Sequence, residues 1–151
     1  MNIEDTITQE LQSINQPLGV ISTVNESGKP ESASVYYICD KALNIFFVTR
    51  SESRKYKNLQ KNLNASFVIT SEHPPKTIQL EGTASEVTDP EEQLTYFDKL
   101  VAKASESNLM PPVTQTVAGE MVFMKLSTTW ARLGNFEVMK EGEKFIETKA
   151  A

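Results

Sequence analysis

The chain has 151 residues, 39% of them hydrophobic and 23% charged, with a formal net charge of −5; this is the profile of a soluble protein with room for one core, expected to form a single domain over residues 1–151. No apolar run approaches bilayer length, the start Met-Asn-Ile-Glu-Asp lacks a signal-peptide pattern, and the acidic balance argues against nucleic acid as the main partner, so a cytoplasmic protein without membrane or nucleic-acid partners is expected. One cysteine and one histidine exclude an internal disulfide framework and leave no set of residues for a dedicated zinc site.

Taken in order, Ile3, Ile7, Leu11 and Ile14 mark one stripe of a helix over residues 3–15, which Pro17 ends. Residues 18–24 alternate as a strand, and Asn25-Glu26-Ser27-Gly28 is a turn in which Gly28 can take a positive φ. A second strand follows Pro30 over residues 32–38. Cys39, beside Asp40, is a strand-end packing residue with nothing near it to lower its pKa. Asp40-Lys41-Ala42 turns the chain into a third strand, residues 43–49, and the short links predict an antiparallel meander.

The next stretch is the most distinctive. A buried strand ending in Phe46-Phe47-Val48 runs into Thr49-Arg50-Ser51-Glu52-Ser53-Arg54-Lys55-Tyr56-Lys57, with three Ser/Thr hydroxyls, four cations and a single acid. Ser51 or Ser53 is a natural N-cap, and Tyr56, Leu59 and Leu63 share one face of a helix over residues 54–63. Cations at a helix start oppose the helix dipole unless an anion is present, and Arg grips oxyanions through charge-assisted bonds. The stretch therefore reads as a phosphate site, against the plainer possibility of a solvated charged turn.

Residues 65–70 are a fourth strand, and Glu72-His73-Pro74-Pro75 a loop in which His73 is a loop residue rather than a catalytic base. In the fifth strand Ile78, Leu80, Gly82 and Ala84 face one way, and Thr77, Gln79, Glu81, Thr83 and Ser85 the other, a polar face able to line a groove. Asp89-Pro90-Glu91-Glu92 starts a helix with Leu94, Phe97, Leu100, Val101 and Ala104 as its apolar face. Pro111-Pro112 closes a loop, residues 121–126 form a sixth strand apolar on both faces, and Trp130 and Arg132 follow. After a charged stretch, Phe145-Ile146 can add a short last strand. Six or seven strands and three helices without βαβ alternation predict a mainly β (α+β) protein: an antiparallel six- to seven-stranded barrel with peripheral helices. The doubly apolar strands need a helix or a second subunit on their outer face.

Phe46-Phe47-Val48-Thr49, Glu52-Ser53-Arg54-Lys55, residues 62–68 and Leu80-Glu81-Gly82 together resemble the pyridoxamine 5'-phosphate oxidase-like flavin-binding split-barrel family, especially its general-stress-protein branch, over about residues 17–132. The resemblance implies a homodimeric split β-barrel with flavin mononucleotide (FMN) between subunits. It implies that Ser53, Arg54 and Lys55, with Arg50 beside them, hold the phosphate, and that Thr49 contacts the flavin. Ser34, Val35 and Tyr36 would run beside the ring, Thr77 or Gln79 would reach it, and Trp130 and Arg132 would approach it from the C-terminal side. Related branches bind a deazaflavin or haem instead. Ala33 and Ile38 stand where true oxidases carry an Arg and a Lys, so oxidation of pyridoxamine phosphate is not expected. No side chain is an obvious general acid or base, and the catalytic residues are unknown. The function expected is that of a flavin-dependent oxidoreductase of unknown substrate, with a reduced nicotinamide as possible partner; the alternative is a non-catalytic flavin-binding, storage or stress-related dimer.

Overall fold

The structure is a computed structural model that describes residues 2–15, 17–72, 75–106, 120–138 and 140–148. His73 and the Pro111-Pro112 loop lie outside the described residues. Helix α1 (Ile3–Ser13) starts at Asn2, whose Oδ1 accepts from Asp5 N at 2.7 Å, and stops short of residue 15 because Ile14 turns extended. Strands β1 (Leu18–Val24), β2 (Pro30–Cys39) and β3 (Ile45–Arg50) form the antiparallel meander. Asn25 Oδ1 accepts the backbone N–H groups of Ser27 and Lys29 in the first turn, where Gly28 has φ 75°. In the second, Asp40 Oδ1 accepts from Ala42 and Asn44, and buried Leu43 is held left-handed at φ 62°.

Helix α2 (Arg54–Leu59), strands β4 (Asn64–Glu72) and β5 (Pro75–Glu86), helix α3 (Pro90–Glu106), strand β6 (Met121–Asn135), a 3-10 turn at Glu141–Glu143 and strand β7 (Phe145–Glu147) complete the order. The sheet runs β3-β2-β1-β4-β5-β6-β7, and an added β3–β6 ladder closes the first six strands into a barrel. Strand β6 is fifteen residues long, so Trp130 and Arg132 lie within it rather than after it. Its first half pairs with β3, its second half with β7, and β5 pairs with both halves. Between the halves Glu81 opposes Trp130 and Gly82 opposes Thr128, leaving Thr129 as an extra, bulged residue. Gly82 permits this, because a Cβ there would stand 2.0 Å from the Ser127 carbonyl oxygen.

Inside the barrel pack Ile21, Val35, Tyr37, Ile45, Phe47, Phe67, Ile69, Ile78, Leu80, Met124 and Leu126, with Ile7 and Leu11 of α1 and Leu59 of α2 in the same cluster. Tyr37 Oη donates to the Leu11 carbonyl near the C-terminal end of β2, and Asn58 reaches Thr23 and Glu31 near its N-terminal end, so α1 and α2 close opposite ends of the barrel. Helix α2 ends before Leu63, which is 55% exposed and lies off the expected apolar face. On α3, Leu94 is exposed while Leu100 and Ala104 are buried. That helix also lies over the outer face of β3: Tyr96 stacks on Phe46 at 3.6 Å, and Phe97 meets Phe123 edge-on. Phe46 and Val48 are buried in consequence, and no second subunit is needed to cover that face.

Candidate functional site

The turn after β3 is built by two hydroxyls and two ion pairs. Thr49 is buried, and its hydroxyl shares a 2.9 Å hydrogen bond with that of Ser53. Ser53 caps α2 by accepting from Tyr56 N. Thr49 thus positions Ser53, and its side chain is turned away from the surface. Arg50 pairs with Glu52, and its Nε is buried without a partner. Lys55 is half-buried, burial lowers its pKa, and no acid pairs with it among the described residues. Lys57 is exposed.

Arg54 is held by a residue that local sequence does not bring near it. Glu31, on β2, pairs with Arg54 and accepts from Asn58 Nδ2 at 2.9 Å and Asn25 Nδ2 at 3.1 Å. The hydrogen bond from Arg54 first, then those from Asn58 and Asn25, lower the Glu31 pKa from 4.5 to about 2. Beside this pair lies a groove of about 230 Å³ lined by Thr23, Glu31, Ser32, Ala33, Arg54 and Lys55. Glu52 is therefore not the only acid at the site; the second arrives through the β1–β2 register and α2.

The outer face of the sheet gathers other candidates. One rung reads Ser34, Val20, Val68, Gln79, Arg132 across β2, β1, β4, β5 and β6. The next reads Ser32, Ser22, Ser66, Glu81, Trp130. Arg132 donates from Nε and Nη2 to Gln79 Oε1 and lies 5.6 Å from the Trp130 ring and 5.0 Å from that of Phe145. Thr77, opposite Gly134, is half-buried two residues from Gln79. Tyr36 shares the outer face with Ser34, but the Val35 side chain points inward and is 5% exposed, so it does not line the surface. The sequence marks Phe145 as part of a short last strand but not as a site residue, since only the β6–β7 ladder brings it beside Arg132.

At the far end of β2 a cavity of about 460 Å³ lies between α1, β2 and α3, lined by Leu11, Pro17, Tyr37, Ile38, Cys39, Asp40, Tyr96, Lys99 and Lys103 among others. Burial first, and the neighbouring Asp40 charge second, push the Cys39 thiol up to about 12, in keeping with a strand-end residue that has nothing beside it to lower its pKa. The Lys99/Lys103 pair, at i and i+4 on α3, was legible as a spacing but carried no sign of facing a cavity.

The profile of the family described as Pyridoxamine 5'-phosphate oxidase matches residues 3–134. Pyridoxine/pyridoxamine 5'-phosphate oxidase of Bacteroides thetaiotaomicron is 28% identical over 123 residues, covering 78% of this chain; the chain spans 57% of that relative's length. General Stress Protein 26 from Bacillus anthracis str. Sterne has a similar structure (TM-score 0.68, 20% identity, 88% of this chain and 94% of that one). So do a pyridoxamine 5'-phosphate oxidase-related, FMN binding protein from Nostoc punctiforme (0.64, 9%, 100% and 98%) and a heme binding protein from Mycobacterium smegmatis (0.70, 15%, 99% and 59%). At these identities the structures show a shared fold.

Proposed function

We propose, for a chain that belongs to the pyridoxamine 5'-phosphate oxidase family, that it binds flavin mononucleotide as one split-barrel domain of a homodimer and serves as a flavin-dependent oxidoreductase. The observation that carries this reading is Lys55, half-buried and without an acid partner among the described residues, on a groove shared with Arg54. A cation desolvated without a counterion is costly to the ligand-free protein and is relieved by an incoming anion. Ser53, Arg54 and Lys55 would hold the phosphate. Ser34 and Tyr36 would lie along the ring, since β2 leads from the groove at Ser32 to the cavity at Ile38, six residues or roughly 20 Å away.

Gln79 and Arg132 lie three and four strand spacings from Ser34 on the same rung, roughly 14 and 19 Å along the sheet. A second copy packed against this face, with half-buried Val20 and Val68 at its centre, would bring Gln79, Trp130 and Arg132 to a flavin held by the first. When bound, the flavin supplies the redox chemistry. The chain's own residues bind it, orient it and exclude water, and the substrate would enter the larger cavity, where Lys99 and Lys103 are balanced by Asp40 and Glu106. Without the charged pair that Ala33 and Ile38 replace, that substrate is not pyridoxamine phosphate.

Fluorescence-quenching titration tests the reading. FMN should bind at least about a hundredfold more tightly than riboflavin, the effect of losing two charge-assisted hydrogen bonds of roughly 1.5 kcal/mol each. Equal affinities would remove the phosphate site. Bleaching of the loaded protein by a reduced nicotinamide supports the oxidoreductase; loaded protein that stays yellow supports storage or sensing. The likeness to the heme binding protein favours haem as a second reading, for which the one histidine, His73, lies outside the described residues. The absorption spectrum of the purified protein separates haem, deazaflavin and flavin.

A further inference from the structure

Glu31 stands in the wall of the groove assigned to the phosphate, where a negative charge opposes the ligand. It is well anchored. One carboxylate oxygen accepts from Asn25 Nδ2 and pairs with Arg54; the other accepts from Asn58 Nδ2, and Asn58 is itself tied to Thr23 Oγ1 at 3.0 Å. The Glu31 side chain is 19% exposed, whereas that of Arg54 is 79% exposed. When an anion enters, the partner able to move is therefore Arg54, on a long solvated stem, and the fixed partner is the carboxylate. Lys55, lining the same groove, has no such internal anion among the described residues.

We infer that Glu31 is a built-in competitor for Arg54, a specificity-determining residue that weakens the groove's hold on an entering phosphate monoester and leaves the rest of the flavin untouched. An entering anion must draw the guanidinium from a saturated carboxylate while facing that fixed charge. Repulsion by the carboxylate and attraction by the guanidinium both scale with the charge of the ligand, so the loss falls on the phosphate and spares neutral riboflavin. The inference rests on the phosphate reading of the groove and deepens it.

Glu31→Gln tests it, since the amide keeps an acceptor for the asparagines and loses the charge. FMN affinity should rise about tenfold and riboflavin affinity should stay the same, which widens the ratio between the two. An unchanged or narrowed ratio in natively folded Glu31→Gln overturns the inference. Should the variant fail to fold, the unsubstituted protein still decides: the Arg54 Nε–H resonance must shift on adding FMN and stay put with riboflavin, and no shift overturns the inference. Equal binding of the two flavins by the unsubstituted protein would instead remove the phosphate reading itself.

Discussion

Arg132 lies directly across the β5–β6 ladder from Gln79, and two of its nitrogens, Nε and Nη2, donate to the one oxygen Gln79 Oε1, at 3.0 and 2.8 Å. The glutamine thereby fixes the guanidinium between the rings of Trp130 and Phe145. Gln79→Ala should weaken FMN binding about tenfold, the worth of one hydrogen bond to a charged group at about 1.5 kcal/mol. Gln79→Glu, which keeps the acceptor, should preserve the Arg132 geometry. An unchanged affinity in folded Gln79→Ala would remove Arg132 from the cofactor site.

Lys55→Met should raise the melting temperature of the ligand-free protein and cut its preference for FMN over riboflavin about tenfold. Burial lowers the Lys55 pKa, so its charge opposes folding below that lowered value, and the penalty fades as pH rises through it towards the ordinary 10.5. The stability advantage of Lys55→Met should therefore shrink with alkalinity. Thermal melts at neutral and high pH check this, and a lower melting temperature in the variant at neutral pH would contradict it.

Glu31 has the opposite sign. Its folded-state pKa, about 2, lies below its ordinary 4.5, so its contribution is full above 4.5 and is lost as pH falls towards 2. Its partner Arg54 is solvated, so salt should screen the effect. Melts of the unsubstituted protein and Glu31→Gln should converge between about pH 4.5 and 2. A stability gap independent of pH in that window would mean that the charge of Glu31 does not matter.

Gly82→Ala should cost about 2–3 kcal/mol, because the new methyl meets the Ser127 carbonyl and β6 must shift to admit it. The shift should reach Trp130 and Arg132 beyond the bulge, so flavin affinity should fall with stability. Urea denaturation with a parallel titration separates the two effects; a loss of stability with flavin affinity intact would uncouple the bulge from the site.

Light scattering at micromolar concentration should give twice the chain mass, with an interface on the order of 2,000 Å². Val68→Glu, which sets a charge at the middle of the outer rung, should give a folded monomer with weakened flavin binding. A dimer that survives this substitution would place the interface on another face.

Much of the fold can be read from the linear chain, because it rests on interactions spanning a few residues. Period-two alternation in Ile78-Gln79-Leu80 marks the buried face of β5, and Ser53 and Asp89 announce α2 and α3 through hydrogen bonds to nearby backbone groups. The cation-rich turn after Val48 is likewise a local feature, and it pointed to the groove in which Arg54 and Lys55 stand. Other features depend on which distant residues the ladders place side by side. Nothing near Arg54 in the chain foretells Glu31; the pair exists because β2 lies against β1 while Asn58 of α2 ties Thr23 to Glu31. The length of β6 was hidden by its bulge, which breaks alternation at Thr129. Val35 was drawn into the candidate surface because a strand's facing is set by its neighbours, and the register turned it inward. The apolar outer face of β3 could have been met by a helix or by a second subunit. Its composition is the same in either case, and only the packing of Tyr96 onto Phe46 assigns it to α3.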